Sequence, residues 1–222
     1  MKSIDTLGHE PAVKSGKSEL AQYLPSIALI TAALVFAGLA IRNNLRQTTQ
    51  APAAVIPGVD ASILLSGRNQ FQGAANAPYT LVEFGDFECP PCKHTQPLVV
   101  EALKQYPGQI KLDFRELPLT QIHPHAEAAA IAAESGRPVG KYWTLHDDLY
   151  ATDLGKPGAI AEVLTSAGVT LNTREAQVQL ADDAELEKKL SVNSTPSFFL
   201  CRPDGSILRL QTLESLGANL GR

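Results

Sequence analysis

Hydrophobic and polar positions follow several distinct patterns along this chain. Leu24–Ile41 (LPSIALITAALVFAGLAI) contains no charged side chain. After the turn-like Asn76-Ala77-Pro78, Tyr79–Phe84 (YTLVEF) is largely apolar on both faces of an extended backbone, which predicts a central strand. Between Thr95 and Tyr106 apolar residues recur at Leu98, Val99, Ala102, Leu103 and Tyr106, a helical spacing that Pro107-Gly108 ends. Ile110–Leu117 alternates in part and predicts a second strand. Helical patterns follow at His125–Ser135, Gly140–Tyr150, Pro157–Ala167 and Thr173–Leu190, separated by Gly and Pro. Ser197–Cys201 and Ser206–Gln211 flank the Pro203-Asp204-Gly205 turn as a hairpin, and a short helix from about Leu213 closes the chain. The order is a βαβ unit, an all-helical stretch at about 124–190, and a ββα unit.

The uncharged run sets the domain layout. At about 1.5 Å per residue, a helix over 24–41 just spans a bilayer core of about 30 Å. A retained transmembrane anchor is the favoured reading, because some two dozen residues precede the run. A cleaved signal is the alternative, with Gly38-Leu39-Ala40 offering small residues for cleavage, and a buried core helix is a third. Lys2, Lys14 and Lys17 before the span and Arg42 and Arg46 after it leave orientation undecided by charge. The expected layout is a cytoplasmic tail at 1–23, the anchor or signal at 24–41, a flexible linker at 42–58, and a folded domain at 59–222. Either export route places that domain where disulfides persist, with inner-membrane attachment and a periplasmic or extracytoplasmic face.

Composition changes this picture little. Of 222 residues, 44% are hydrophobic and 19% charged, enough for a packed core, and the net charge of −4 comes from interspersed acids and bases. No basic run or basic–aromatic cluster points to nucleic acid. The three cysteines are more informative. Cys89 and Cys92 lie three apart, and Cys201 is remote. A loop so short removes little unfolded-state entropy, so redox chemistry or metal binding accounts for the pair better than stapling does. Zinc needs more ligands than CPPC supplies, and no second CxxC or spaced His pair completes a site, so no metal or other cofactor is expected.

Cys89-Pro90-Pro91-Cys92 falls where the first strand gives way to a helix. With Cys89 as N-cap, the two prolines take the first helical positions, whose N–H groups have no intrahelical acceptor. The helix start favours thiolate over thiol, and Lys93 and His94 add positive charge nearby. Since Pro91 has no N–H, the Cys92 amide is the first backbone donor able to cap the Cys89 sulfur. Cys89 is then the exposed nucleophile and Cys92 the thiol that resolves its mixed disulfide. Farther on, Thr195-Pro196-Ser197-Phe198-Phe199 sets a proline directly before an apolar strand. A cis bond there lets Thr195 present backbone groups to an extended substrate beside the cysteines.

VEFGDFECPPCKH, the late TPSFF and the helical stretch between them resemble the DsbA-like branch of the thioredoxin superfamily, in particular its membrane-anchored or secreted bacterial members. The resemblance covers roughly Asn76 to the end. It implies an α/β thioredoxin-like fold with an inserted helical subdomain, here preceded by an N-terminal transmembrane helix. It also implies disulfide formation or isomerisation in exported proteins, with reoxidation by a membrane quinone-linked partner. By position, Cys89 is the nucleophile, Cys92 the resolving thiol, and Thr195 with Pro196 the substrate-docking loop. Glu83 matches the family's acid beneath the site, which exchanges protons with Cys92. Pro-Pro between the cysteines, in place of Pro-His, leaves the direction of catalysis open. An extracytoplasmic reductant is one alternative. A Cu(I) metallochaperone and a non-catalytic peptide-binding module are others, from different classes.

Other residues carry weaker expectations. Cys201 is expected to be a small buried hydrophobe. His123-Pro124-His125 at a helix start is expected to be surface and cap. Trp143 and Tyr150, seven apart on one helix, are expected on a core face, with a peptide groove as the alternative.

Overall fold

The computed structural model describes residues 29–39, 54–65 and 70–221, in two units, Met1–Gln50 and Ala51–Arg222. In the first, residues 29–39 form a helix (α1) whose large apolar side chains, such as Leu34 and Phe36, are exposed. It covers the middle of the expected 24–41 span. Residues 24–28, 40 and 41 lie outside the described residues, as does the 1–23 tail. Among the described residues no helix is long and apolar enough to cross a membrane.

The second unit is built on a six-stranded sheet. Strand β3 (Tyr79–Gly85) and strand β4 (Ile110–Glu116) are parallel neighbours, joined by helix α3 (Pro90–Gln105). Strand β5 (Ser197–Cys201) lies antiparallel along the other side of β3, and β6 (Ile207–Leu210) pairs with β5. Two-residue strands close the edges, β1 (Ala54–Val55) on β6 and β2 (Gln72–Gly73) on β4. Between β4 and β5 run α4 (Ala126–Ser135), α5 (Tyr142–Ala151), α6 (Ala159–Ala167) and α7 (Thr173–Leu190), the expected helical insertion. The short helices α2 (Ala61–Leu65) and α8 (Leu216–Asn219) complete the unit.

β3 is central because both its faces are covered. Leu81 packs with Val99 and Ala102 of α3, while Val82 and Phe84 pack with Leu186 and Leu190 of α7. Burial of each such Leu or Phe side chain contributes roughly 1.5–3 kcal/mol. The insertion has its own core of Tyr142, Leu145, Leu149, Val163 and Leu164, which Phe87 and Phe114 enter from the sheet side. Their rings stack at 5.5 Å, so the segment leading to CPPC is packed directly into the insertion.

One boundary differs from expectation. The stretch taken as linker through 58 includes β1, where Ala54 pairs with Arg209 and Val55 with Leu208, and Ile56 N–H donates to Ile207 O at 2.9 Å. The free edge of β6 recruits these residues through backbone bonds, which need no side-chain alternation. The helix after CPPC starts at Pro90, as the reading of Cys89 as N-cap expects, although its apolar periodicity becomes visible only at Leu98.

Candidate active site

Cys89 is the N-cap of α3, with extended backbone (φ −67°, ψ 118°), and Pro90 and Pro91 occupy the first helical turn. The Cys89 N–H donates to Asp86 O at 3.2 Å, and Lys93 N–H to Cys89 O at 3.1 Å, closing the first turn. The expected cap from the Cys92 amide to the Cys89 sulfur is absent: the Cys89 side chain makes no cap hydrogen bond. Its Sγ instead faces the Thr195 carbonyl at 3.7 Å. Both prolines are exposed, whereas Cys89, expected as the exposed thiol, is only 4% exposed under the Thr195 loop, and Cys92 is fully buried. All three cysteines are free thiols.

The Thr195–Pro196 bond is cis. This loop meets Cys89 because β5 starts where β3 ends, Phe84 lying opposite Ser197 in the antiparallel register. Ser197 Oγ donates to Ser194 O at 2.7 Å and ties the loop to the strand start. Burial pushes the Cys92 thiol well above its ordinary value, against the opposing influence of the nearby Asp86 backbone and Thr195 side chain. The nearby Cys89 and Glu83 add to the rise.

Glu83 projects from the middle of β3 and is fully buried. Gln96 of α3 donates Nε2 toward both carboxyl oxygens, at 3.3 and 3.4 Å. Burial raises its pKa to about 8, and the Gln96 amide offsets only part of that rise. Glu83 therefore holds a proton near neutral pH and can exchange it over the physiological range.

His123-Pro124-His125 stands at the partly exposed helix start that was expected, and its two imidazoles also pair with the acids just before CPPC. His125 does sit at the N-cap of α4, but its side chain makes no cap bond. Its Nδ1 lies 2.8 Å from Glu88 Oε1, and its backbone N–H donates to Glu88 Oε2 at 2.7 Å. Burial opposes ionisation of Glu88, but these bonds together bring its carboxyl below the ordinary value. His123 Nδ1 lies 2.8 Å from Asp86 Oδ2, which also accepts Leu119 N–H at 2.9 Å, while Asp86 Oδ1 accepts Glu88 N–H at 2.7 Å. Asp86 thus clamps the 117–123 loop to the turn before the cysteines. The matching i, i+2 spacing of the Asp86/Glu88 acids and the His123/His125 imidazoles was the available signal in the sequence.

Cys201 lies at the end of β5, away from this cluster, and burial pushes its thiol up to about 12. Trp143 and Tyr150 pack against the insertion core. Among the described residues, no group of three or more His, Cys, Asp or Glu side chains could hold a metal ion.

A β3–α3–β4 unit, a helical insertion and a β5–β6 hairpin, gathered around a cysteine pair at a helix start, define a DsbA-like thioredoxin fold. The chain belongs to the thioredoxin family: the family model described as Thioredoxin matches residues 66–220. The solved structure of Pseudomonas aeruginosa DsbA2 superposes with a TM-score of 0.56 at 21% identity, over 67% of this chain and 90% of that one. Probable disulfide bond formation protein D of Bacillus anthracis is 26% identical over 162 residues, 63% of this chain and 75% of that protein. Na(+)/H(+) antiporter NhaA 1 of Salinispora arenicola is 37% identical over 141 residues, 60% of this chain. The match spans only 22% of the antiporter.

Proposed function

We propose that this chain is a thiol–disulfide oxidoreductase of exported proteins, working through Cys89 and Cys92. The observation that carries the reading is the placement of Cys89 Sγ 3.7 Å from the Thr195 carbonyl, with Cys92 sealed one helical turn behind it. Cys89 is the nucleophile. As a thiolate it attacks a substrate disulfide, forming a Cys89–substrate bond and releasing the other substrate sulfur as thiolate. Once Glu83 has released its own proton, Cys92 gives its proton to the resulting carboxylate and attacks Cys89, forming the Cys89–Cys92 disulfide and releasing the second substrate thiolate. Oxidation of a substrate dithiol is the same sequence in reverse. Thr195 and Pro196 dock the substrate as an added extended segment.

The apolar side chains exposed on α1 support membrane attachment through the 24–41 segment, with the catalytic domain on the extracytoplasmic side. A membrane quinone-linked partner would return Cys89 and Cys92 to the disulfide.

Equilibration in glutathione buffers, with the disulfide mapped by mass spectrometry, tests this reading. Cys89 and Cys92 are expected to titrate together as one two-electron couple while Cys201 stays reduced. A potential near about −120 mV assigns the chain as a donor of disulfides, and one near about −270 mV as a reductant. A chain in which no Cys89–Cys92 disulfide forms in any buffer contradicts the proposal.

A further inference from the structure

Helix α5 turns three polar-tipped rings toward the sheet. Trp143, His146 and Tyr150 stand at i, i+3 and i+7, on one face, and the His146 ring centroid is 5.0 Å from each of the other two. Trp143 Nε1, His146 Nε2 and Tyr150 OH are all buried with no hydrogen-bond partner among the described residues. An apolar face would pack here at lower cost, since a buried polar atom left unpaired costs about 1–3 kcal/mol.

The strip leads from Glu83 to the surface. A Cβ built on Gly85 would lie 3.0 Å from the Tyr150 hydroxyl, so that oxygen occupies the space the glycine leaves open. Gly85 and Glu83 are two apart on β3 and share a face, separated by roughly 6.5–7 Å. In the parallel register Glu83 lies beside Phe114, whose ring is 6.0 Å from that of Tyr150 and 4.7 Å from that of His146. The hydroxyl and the Glu83 carboxyl therefore share one buried layer, close enough to interact electrostatically. At the other end, His146 Nδ1 lies 2.8 Å from Asp147 Oδ1, and the Asp147 side chain is 62% exposed. A carboxylate accepts only, so Nδ1 carries the hydrogen and Nε2 presents its lone pair inward.

We propose that Tyr150, His146 and Asp147 form the proton exit of Glu83, connecting that sealed carboxyl to solvent. The proposal rests on the functional reading above. After Cys92 has passed its proton to Glu83, the carboxyl delivers it to the Tyr150 oxygen through a bridging water. Tyr150 and His146 make no direct hydrogen bond, so the Tyr150 O–H proton reaches His146 Nε2 through a second water or a small turn of the adjoining rings, the His146 Nδ1 proton passes to Asp147, and Asp147 returns it to water. One proton enters and one leaves at each station, so no charge stays in the interior. The titratable groups facing Tyr150 are Glu83, Cys92, Glu116, Tyr142 and His146, and those facing His146 are Asp147, Tyr142 and Tyr150. Burial keeps the imidazole neutral and the phenol protonated, which suits them to pass a proton without storing charge.

The test is a two-phase reaction of the reduced protein with an aromatic disulfide that releases a coloured thiolate. The first phase reports attack by Cys89 and the second reports displacement by Cys92. Tyr150→Phe removes only an unpartnered hydroxyl and Asp147→Asn alters a solvent-facing group, so both variants are expected to fold; His146→Phe is the third. At pH 6 the second phase is expected to slow at least fivefold in each variant, with the first phase within twofold of the unaltered chain. The deficit should narrow above pH 8, where Glu83 is already ionised, a trend that a purely structural role would not produce. Second phases within twofold of the unaltered chain from pH 5 to 9 in all three variants overturn the proton exit alone. Absence of a first phase in the unaltered chain overturns the functional reading and the exit with it.

Discussion

The Thr195 carbonyl faces Cys89 Sγ at 3.7 Å, across 106 positions of sequence. Two independent local features bring these groups together. Proline at the first two positions of α3 fixes where that helix starts and so where Cys89 sits. The antiparallel register of β3 and β5 sets the loop before Ser197 over the end of β3. A two-residue register slip keeps the same faces buried but moves Thr195 by about 7 Å, which is enough to lose the contact.

Glu83 makes stability depend on pH. Its carboxyl titrates near 8 in the fold against an ordinary 4.5, so between those values the folded state keeps a proton that the unfolded state has released. The contribution is fully present below pH 4.5 and is lost as pH rises through 8. At about 1.36 kcal/mol per unit it amounts to roughly 3–5 kcal/mol. Glu83→Gln is expected to exceed the unaltered chain by about that amount in urea unfolding at pH 8.5, and to match it within about 1 kcal/mol at pH 4.

Asp86→Ala removes the acceptor for Glu88 N–H, Leu119 N–H and the His123 ring in one change. At about 1–3 kcal/mol per buried group left unpaired, the expected loss is roughly 3–4 kcal/mol. Hydrogen exchange at Leu119 should accelerate at least tenfold in Asp86→Ala, and less in Asp86→Asn, which keeps one side-chain oxygen.

The Arg115 guanidinium is buried between Asp113 at 2.9 Å and Asp183 at 3.0 Å, and it also donates to the Leu64 carbonyl. Asp183 additionally accepts Glu116 N–H at 3.0 Å, which joins α7 to the end of β4. Asp183→Ala leaves a buried cation short of a partner and is expected to cost about 3–5 kcal/mol, measured by urea unfolding at pH 7.

A side chain at Gly85 would overlap the Phe114 ring and crowd the Tyr150 hydroxyl. Gly85→Ala is expected to destabilise by about 1–3 kcal/mol through overpacking. Adding Phe114→Leu should recover much of that loss in thermal unfolding if the ring is the obstacle.

The sequence made some of this architecture legible and hid the rest for physical reasons. The apolar faces of Tyr79–Phe84 and the helical spacing from Leu98 gave the strand and helix around the cysteines, since burial itself writes that pattern. Ala54–Val55 and Gln72–Gly73 were not legible, because two-residue edge strands form through backbone bonds alone. The Asp86–His123 and Glu88–His125 pairs were hidden for a different reason. Polar partners 37 residues apart leave no periodic trace, and a histidine beside a proline looks the same at a surface as in a clamp. The uncapped Cys89 sulfur shows that a donor available by spacing need not be used; here the thiol faces the Thr195 carbonyl of the loop before β5 instead.

The central claim is that Cys89 exchanges disulfides with exported proteins. Its most direct test is expression of the full chain carrying Cys92→Ala in an exporting bacterium, with acid quenching and non-reducing electrophoresis. Mixed disulfides from Cys89 to thiol-containing exported proteins are expected, released by dithiothreitol and lost when Cys89 is also changed to Ser. An unmodified Cys92→Ala chain, with no mixed disulfide at Cys89, would contradict it.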